Sequence, residues 1–266
     1  MKLQVQGREV CAYTGGKALD TRLPCVVFVH GALNDHSVFT LLARWWAHHG
    51  YCVMAVDLPG HARSAGPALE RIEDMADWLL ELMTAAGVTS AALVGHSMGS
   101  LVALQAAANA PERVTHLALV GSCVPMPVPQ ALLDLSLSDT LAAIDRVVMY
   151  SFSTLAAKPS YPGPGSWLRG GARALNRQVL AAQGDPRLFH TDFSACNNYA
   201  GGLDAALRVR CPAALVLGQQ DQMTSPKGAI EVAKRLKARV HHLPCGHFPM
   251  QECPDPVLNA LRELLR

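Results

Sequence analysis

The sequence predicts an α/β protein built on a mostly parallel, doubly wound sheet with helices on both faces. Three observations carry that expectation. Apolar strand-like runs alternate with helical stretches along most of the chain. The runs are apolar throughout, as strands covered on both faces are. Ala91-Ala92-Leu93-Val94 passes through Gly95-His96-Ser97-Met98-Gly99 directly into a helix-forming stretch that ends near Pro111, a strand–turn–helix junction.

Taken in order, residues 2–13 alternate apolar and polar around Gly7, which suggests an antiparallel edge hairpin. Strand 25–30 leads to helix 38–49, strand 52–57 to helix 71–86, and strand 90–95 to helix 98–109, followed by strand 115–120. The alternation then breaks over residues 122–210. This stretch holds Pro125, Pro127 and Pro129, an amphipathic segment from Ala131 to Tyr150, a turn-rich segment over 158–165, and a helical pattern from Trp167 to Ala182. Regularity returns with strand 213–218, helix 226–237, strand 239–243 and helix 255–265. In sheets of this kind ligand chemistry lies at the carboxyl ends of the strands. His30, Asp57, Ser97, Ser122, Asp221 and His247 all fall at or just past such ends.

A chain of 266 residues suffices for one large α/β domain, or for a core with a lid. Half of its residues are apolar and 17% are charged, which argues against disorder. The net charge is +2 with no basic tract, so neither nucleic acid nor an anionic membrane is expected as a partner. No apolar leader is evident at the start and no apolar stretch is long enough to cross a bilayer, so a soluble, cytoplasmic monomer or homodimer is expected. The eight cysteines read better as buried thiols than as disulfides. Cys245 and Cys253 flank His247, but their spacing fits no zinc pattern, and no metal is expected.

Gly-x-Ser-x-Gly between a strand and a helix is the pattern of a nucleophile elbow, with small residues two before and two after the serine. Four further segments frame it. They are Val26-Val27-Phe28-Val29-His30-Gly31-Ala32, Val53 to Ser64 with its Asp57-Leu58-Pro59-Gly60-His61 turn, Ala213 to Asp221, and Val240 to Pro254 around Gly246-His247-Phe248. In this order the set resembles the α/β-hydrolase fold family, in its serine esterase and lipase-like branch, over nearly the whole chain except residues 122–210. The resemblance implies a hydrolase core over 1–121 and 211–266, with 122–210 forming a helical cap inserted after the sixth strand.

It further implies Ser97 as nucleophile, His247 as its base, and Asp221 as the acid that orients the imidazole, in the family's chain order. Backbone N–H groups of Met98 and Ala32 would form the oxyanion hole, with Leu33 as the alternative to Ala32. His30, Gly31, Leu33, His96 and Trp167 are candidate substrate contacts. Leu132, Leu133, Leu135, Leu137, Met149 and Phe152 join Trp167 as pocket candidates, although packing of the cap explains each singly. Asn34 reads as a surface turn residue, with contact to substrate as the alternative, and Asp57 as a brace for its own loop. Asp192 and Asp204 fall in the cap or its return. His96 reads as a residue that orders the site, and His241 and His242 would point to opposite faces of a strand.

The expected chemistry is hydrolysis of a carboxylic ester of a small to medium, largely apolar substrate, with no metal or organic cofactor. A serine at the elbow disfavours dehalogenase and epoxide-hydrolase chemistry, for which the family uses aspartate. Carbon–carbon bond hydrolysis, acyl transfer to an acceptor other than water, and a ligand receptor on the same scaffold stay open.

Overall fold

The computed structural model describes residues 1–266. Eight strands form one sheet: β1 (Lys2–Val5), β2 (Arg8–Tyr13), β3 (Cys25–Val29), β4 (Cys52–Val56), β5 (Ala91–His96), β6 (Val114–Val120), β7 (Ala213–Gly218) and β8 (Arg239–Leu243). Their spatial order is β1-β2-β4-β3-β5-β6-β7-β8. The β1–β2 hairpin enters antiparallel, and from β4 to β8 every pairing is parallel. Helices α1 (Thr40–Ala47), α2 (Ile72–Ala85) and α3 (Met98–Asn109) make the first crossovers. Between β6 and β7 lie α4 (Gln130–Ser138), α5 (Thr140–Ser151), α6 (Leu168–Ala182), α7 (Leu188–Asn198) and α8 (Gly202–Arg208). After β7 come α9 (Ile230–Leu236), α10 (Pro249–Glu252) and α11 (Pro254–Leu264). No helix is long and apolar enough to cross a membrane.

The continuous apolar strands divide their side chains between two cores, as a period of two requires. Val27, Val29, Leu93, Leu117 and Leu215 face α2, α3, α8 and α9. Val26, Phe28, Val94, Val120 and Val216 face α1, α11 and the inserted helices α4 to α7. Helix α3 is buried from Met98 to Ala108, so a largely apolar sequence with no polar stripe suits it. The expected helix over 226–237 divides into a 3₁₀ turn, Pro226–Ala229, and α9, which stops at Lys237 with φ +50°. The expected helix over 38–49 likewise opens on a 3₁₀ turn, His36–Phe39, capped by the Asp35 carboxylate on the Ser37 N–H.

The sequence marks the place of the insertion but not its helices α7 and α8. Helix α7 buries Asp192 beside Phe189 and Phe193, so its polar and apolar positions do not separate into a readable stripe. Helix α8 packs on α3 and α9, against the face of the sheet opposite to α4–α6. All eight cysteines are free thiols, six of them buried.

Candidate active site

Ser97 stands between β5 and α3 with φ +52° and ψ −120°, a conformation that an L-residue holds only when its surroundings impose it. Those surroundings are glycine-dependent. A methyl group at Gly95 would enter the Gly99 carbonyl, and one at Gly99 would enter the carbonyls of Val29 and His30. The turn therefore closes only because the strand end, the helix start and the end of β3 touch backbone to backbone.

At the end of β7, Asp221 sits almost wholly buried, and its Oδ1 accepts the N–H groups of Met223 and Thr224 at 2.8 Å each. Its Oδ2 accepts from Thr224 Oγ1 at 2.7 Å and from His247 Nδ1 at 2.9 Å. Burial alone would raise the pKa of this carboxyl. The His247 ring and the Thr224 donors outweigh burial and hold it below its ordinary value, so the group stays a carboxylate. A carboxylate at Nδ1 selects the tautomer with hydrogen on Nδ1 and leaves the lone pair on Nε2.

His247 lies in the loop after β8, and both of its backbone groups are held. Its N–H donates to Ser151 O at 2.8 Å, and its carbonyl accepts from His96 Nε2 at 2.8 Å. The buried His96 is thereby a neutral donor, and burial followed by repulsion from His247 depresses its pKa to about 3. Glu252 supports the same loop by accepting the Gly246 N–H at 2.9 Å. The Ser97 hydroxyl and His247 Nε2 make no hydrogen bond within the protein, and both residues line one cavity of about 460 Å³.

Beside them runs the turn after β3. Its peptide planes are fixed one after another. Gly31 O lies 2.8 Å from His30 Nδ1 and accepts the Asn34 N–H at 3.2 Å. Ala32 O accepts Asn34 Nδ2 at 2.8 Å. In a trans peptide the carbonyl and N–H point in opposite directions, so holding Gly31 O also sets the direction of the Ala32 N–H, which has no acceptor within the protein. Met98 opens α3, and its N–H has no acceptor within the helix. Two main-chain donors thus flank Ser97, one of them at the positive end of a helix dipole.

The structure corrects several site expectations. Leu33 lines the cavity, but its N–H is taken by Asp192 Oδ2 at 2.7 Å, so it cannot stand in for Ala32 as a donor. His30 is fully buried and does not line the cavity. Its Nε2 accepts the Leu58 N–H at 3.0 Å, and burial followed by repulsion from His61 depresses its pKa to about 3, so it is a neutral brace and no substrate contact. Gly31 backs onto Ser97 and His96 from outside the cavity.

Trp167 is also misplaced by the sequence reading. It is 49% exposed, lies over Gly170, and donates its indole N–H to Ala157 O at 3.2 Å in a second, smaller cleft beside Leu41 and Met250. Of the apolar residues of the insertion expected at the pocket, only Leu132 lines it. Leu137 and Met149 face solvent, Leu135 is partly buried, and Leu133 and Phe152 belong to the core. Asn34 is buried in the turn and lines the cavity, so it is not a surface residue. Asp57 braces a different loop from the one expected: its carboxylate accepts the N–H and the ring Nδ1 of His36, in the segment after β3.

Sequence reasoning missed Thr224 and Asn176 and gave Asp192 no contact. An aspartate just past a strand end suggests an Asx turn that accepts the backbone N–H groups following it, but that pattern does not single out the Thr224 hydroxyl. Asn176 and Asp192 had no local signal, because their partners lie far away along the chain.

The fold and the groups around this cavity define a class. The sequence pattern of the alpha/beta hydrolase fold matches residues 24–158, half of the chain, and the chain belongs to that family. A relative spanning nearly the whole length is the pimeloyl-[acyl-carrier protein] methyl ester esterase of Chromobacterium violaceum, 33% identical over 257 residues, 91% of this chain and 94% of the relative. Among solved structures, an enol-lactonase from Burkholderia xenovorans is similar with a TM-score of 0.83 at 19% identity, over 100% of this chain and 99% of the other. An esterase from Exiguobacterium antarcticum is similar with a TM-score of 0.84 at 18% identity, over 99% and 98%.

Proposed function

We propose that the protein is a serine hydrolase that cleaves carboxylic esters through an acyl-enzyme. The observation that carries this reading is one cavity lined by Ser97, on its strained turn, and by His247, whose unpaired Nε2 belongs to a ring oriented by the Asp221 carboxylate. His247 Nε2 takes the Ser97 proton as Oγ bonds to the ester carbonyl carbon, and the developing oxyanion is received by the N–H groups of Ala32 and Met98. Collapse breaks the carbon–oxygen bond of the alcohol, which leaves with the proton from His247. Water then gives a proton to His247 and attacks the acyl carbon, releasing the acid and restoring Ser97. The helices α4 to α7 serve as the cap.

The cavity size suits a small to medium substrate. Met126, Val128, Leu132, Val147, Phe189 and Phe193 favour an apolar acyl chain. A second reading is favoured by Arg146, the one Lys, Arg, Asp or Glu among the lining residues, which is exposed at the cavity. In that reading the far end of the acyl group is anionic or is borne on an acidic carrier. The name of the Chromobacterium violaceum relative, a methyl ester esterase for a carrier-linked acyl group, points the same way.

The test is a panel of chromogenic esters of graded chain length, together with monoesters of dicarboxylic acids and a fluorophosphonate label. The label is expected on Ser97 and lost in Ser97→Ala and His247→Ala, with turnover falling by about 10⁴-fold or more in either variant. Turnover that survives Ser97→Ala would sink the reading. A preference for the anionic monoesters that disappears in Arg146→Gln selects the second version over the first.

A further inference from the structure

Leu33 follows the donor Ala32, and both of its backbone polar groups are held by the inserted helices. Its N–H donates to Asp192 Oδ2 on α7 at 2.7 Å, and its carbonyl accepts from Asn176 Nδ2 on α6 at 2.7 Å. Asp192 and Asn176 are both buried. Leu33 has φ +53°, a left-handed conformation that a leucine keeps only when partners hold it there. The Ala32–Leu33 peptide is therefore gripped at both ends, by Asn34 on the Ala32 carbonyl and by Asp192 on the Leu33 N–H.

Asp192 is itself fixed. Its Oδ2 lies 2.8 Å from His61 Nε2, while His61 Nδ1 lies 3.0 Å from Pro59 O. A ring with an acceptor at each nitrogen donates from both, which is the imidazolium form. Burial would lower the His61 pKa, but the Asp192 charge outweighs burial and raises it. A buried ion pair thus ties the turn after β4, the turn after β3 and helix α7 into one unit.

We propose that Asp192, assisted by Asn176, is a positioning residue for the oxyanion donor: the inserted helices lock Leu33 in its left-handed turn and so keep the Ala32 N–H aimed at the cavity beside Ser97. The inference rests on the acyl-transfer reading above. It gives the insertion a role beyond shaping the pocket, because unseating α6 and α7 would release the donor loop even with Ser97, His247 and Asp221 untouched.

The experiment compares Asp192→Ala, Asp192→Asn and Asn176→Ala in the full chain. It measures kcat and KM on the best ester of the panel, affinity for a boronic acid that mimics the tetrahedral intermediate, and Tm. Loss of one oxyanion donor lowers kcat by about 10²-fold or more. Asp192→Ala is expected to show that loss, with KM within about threefold and boronate affinity falling in parallel with kcat. Asp192→Asn keeps an oxygen for the Leu33 N–H and is expected to recover kcat to within about tenfold of the parent. Asn176→Ala is expected to lose about tenfold in kcat.

A folded Asp192→Ala with parental kcat, a loss confined to KM, or an Asn variant no better than Ala overturns the proposal. If Asp192→Ala does not fold, Asn176→Ala decides, and parental kcat there overturns it. Activity surviving Ser97→Ala would remove the acyl-transfer reading itself, whereas a dead Ser97→Ala beside a fully active Asp192→Ala removes only this inference.

Discussion

On the sheet side of the cavity, Ser97 and Asp221 sit in turns written by their immediate neighbours: Gly95 and Gly99 around the serine, and Met223 and Thr224 around the carboxylate. On the side of the inserted helices, Asn176 and Asp192 meet Leu33 across 143 and 159 positions of sequence. At Ser97 the sheet side is held by close backbone contact, which leaves no room for a side chain. The helical side is held by buried polar side chains whose worth depends on having partners. The two walls also grip one another, through the His247 N–H on Ser151 O and through Phe248 stacked on Phe152, so the insertion holds the histidine loop as well as the donor turn. The lesson is that the elbow tolerates almost no added volume, whereas the helical wall depends on keeping its buried polar partners.

The largest expected effect tests the first half of that contrast. Gly99→Ala forces a methyl group into two backbone carbonyls and should cost at least about 3 kcal/mol of stability, or prevent folding, as read from urea unfolding. Gly171 lies exposed within α6 with open space where its Cβ would be. There the same substitution should stabilise by about 0.5–1 kcal/mol. Equal effects at the two glycines would erase the distinction between the walls.

A smaller effect is expected at Thr224, whose hydroxyl shares Asp221 Oδ2 with His247. Thr224→Val keeps the shape but removes one donor to a buried carboxylate, so kcat should fall about tenfold with little change in KM. A change in KM alone would show that Thr224 contacts substrate and does not orient the acid.

The smallest effect concerns pH and the far wall. Because the His61 pKa is raised in the folded chain, its stabilisation is complete below the ordinary imidazole value and is lost as pH rises through the raised one. The Tm gap between the parent and His61→Gln should therefore be wider near about pH 6 than near about pH 9. A gap that is constant, or that widens toward alkali, would mean that the His61–Asp192 pair does not carry charge.

Legibility in the sequence follows the same division. Strands β3, β4, β5 and β7 could be read because each is a short apolar run buried throughout, and the turn at Ser97 because its constraint lies within two residues on either side. Asp221 and His247 each follow closely on a strand end, and the chain order that the family resemblance implies singled them out from the other polar residues at such ends. The reading failed where a side chain was judged by its type without a partner to aim at. Trp167 looked like a pocket aromatic, yet it packs on Gly170 outside the cavity, and Asn34 looked like a surface turn residue, yet it is buried and pins the Ala32 carbonyl. His30 looked like a substrate contact, but its ring nitrogens are committed to Gly31 and Leu58.

By itself, the amino-acid order determined the alternation of strands and helices, the close-packed elbow, and the location of an acid and a histidine at strand ends, because all of these follow from short-range sterics and periodicity. Only the tertiary structure decided which main-chain N–H stays free beside Ser97, that Leu33 is clamped by Asp192 and Asn176, and that Thr224 shares the carboxylate with His247. Those are choices of hydrogen-bond partner, and a donor's partner is settled by which buried acceptor the fold brings within about 3 Å.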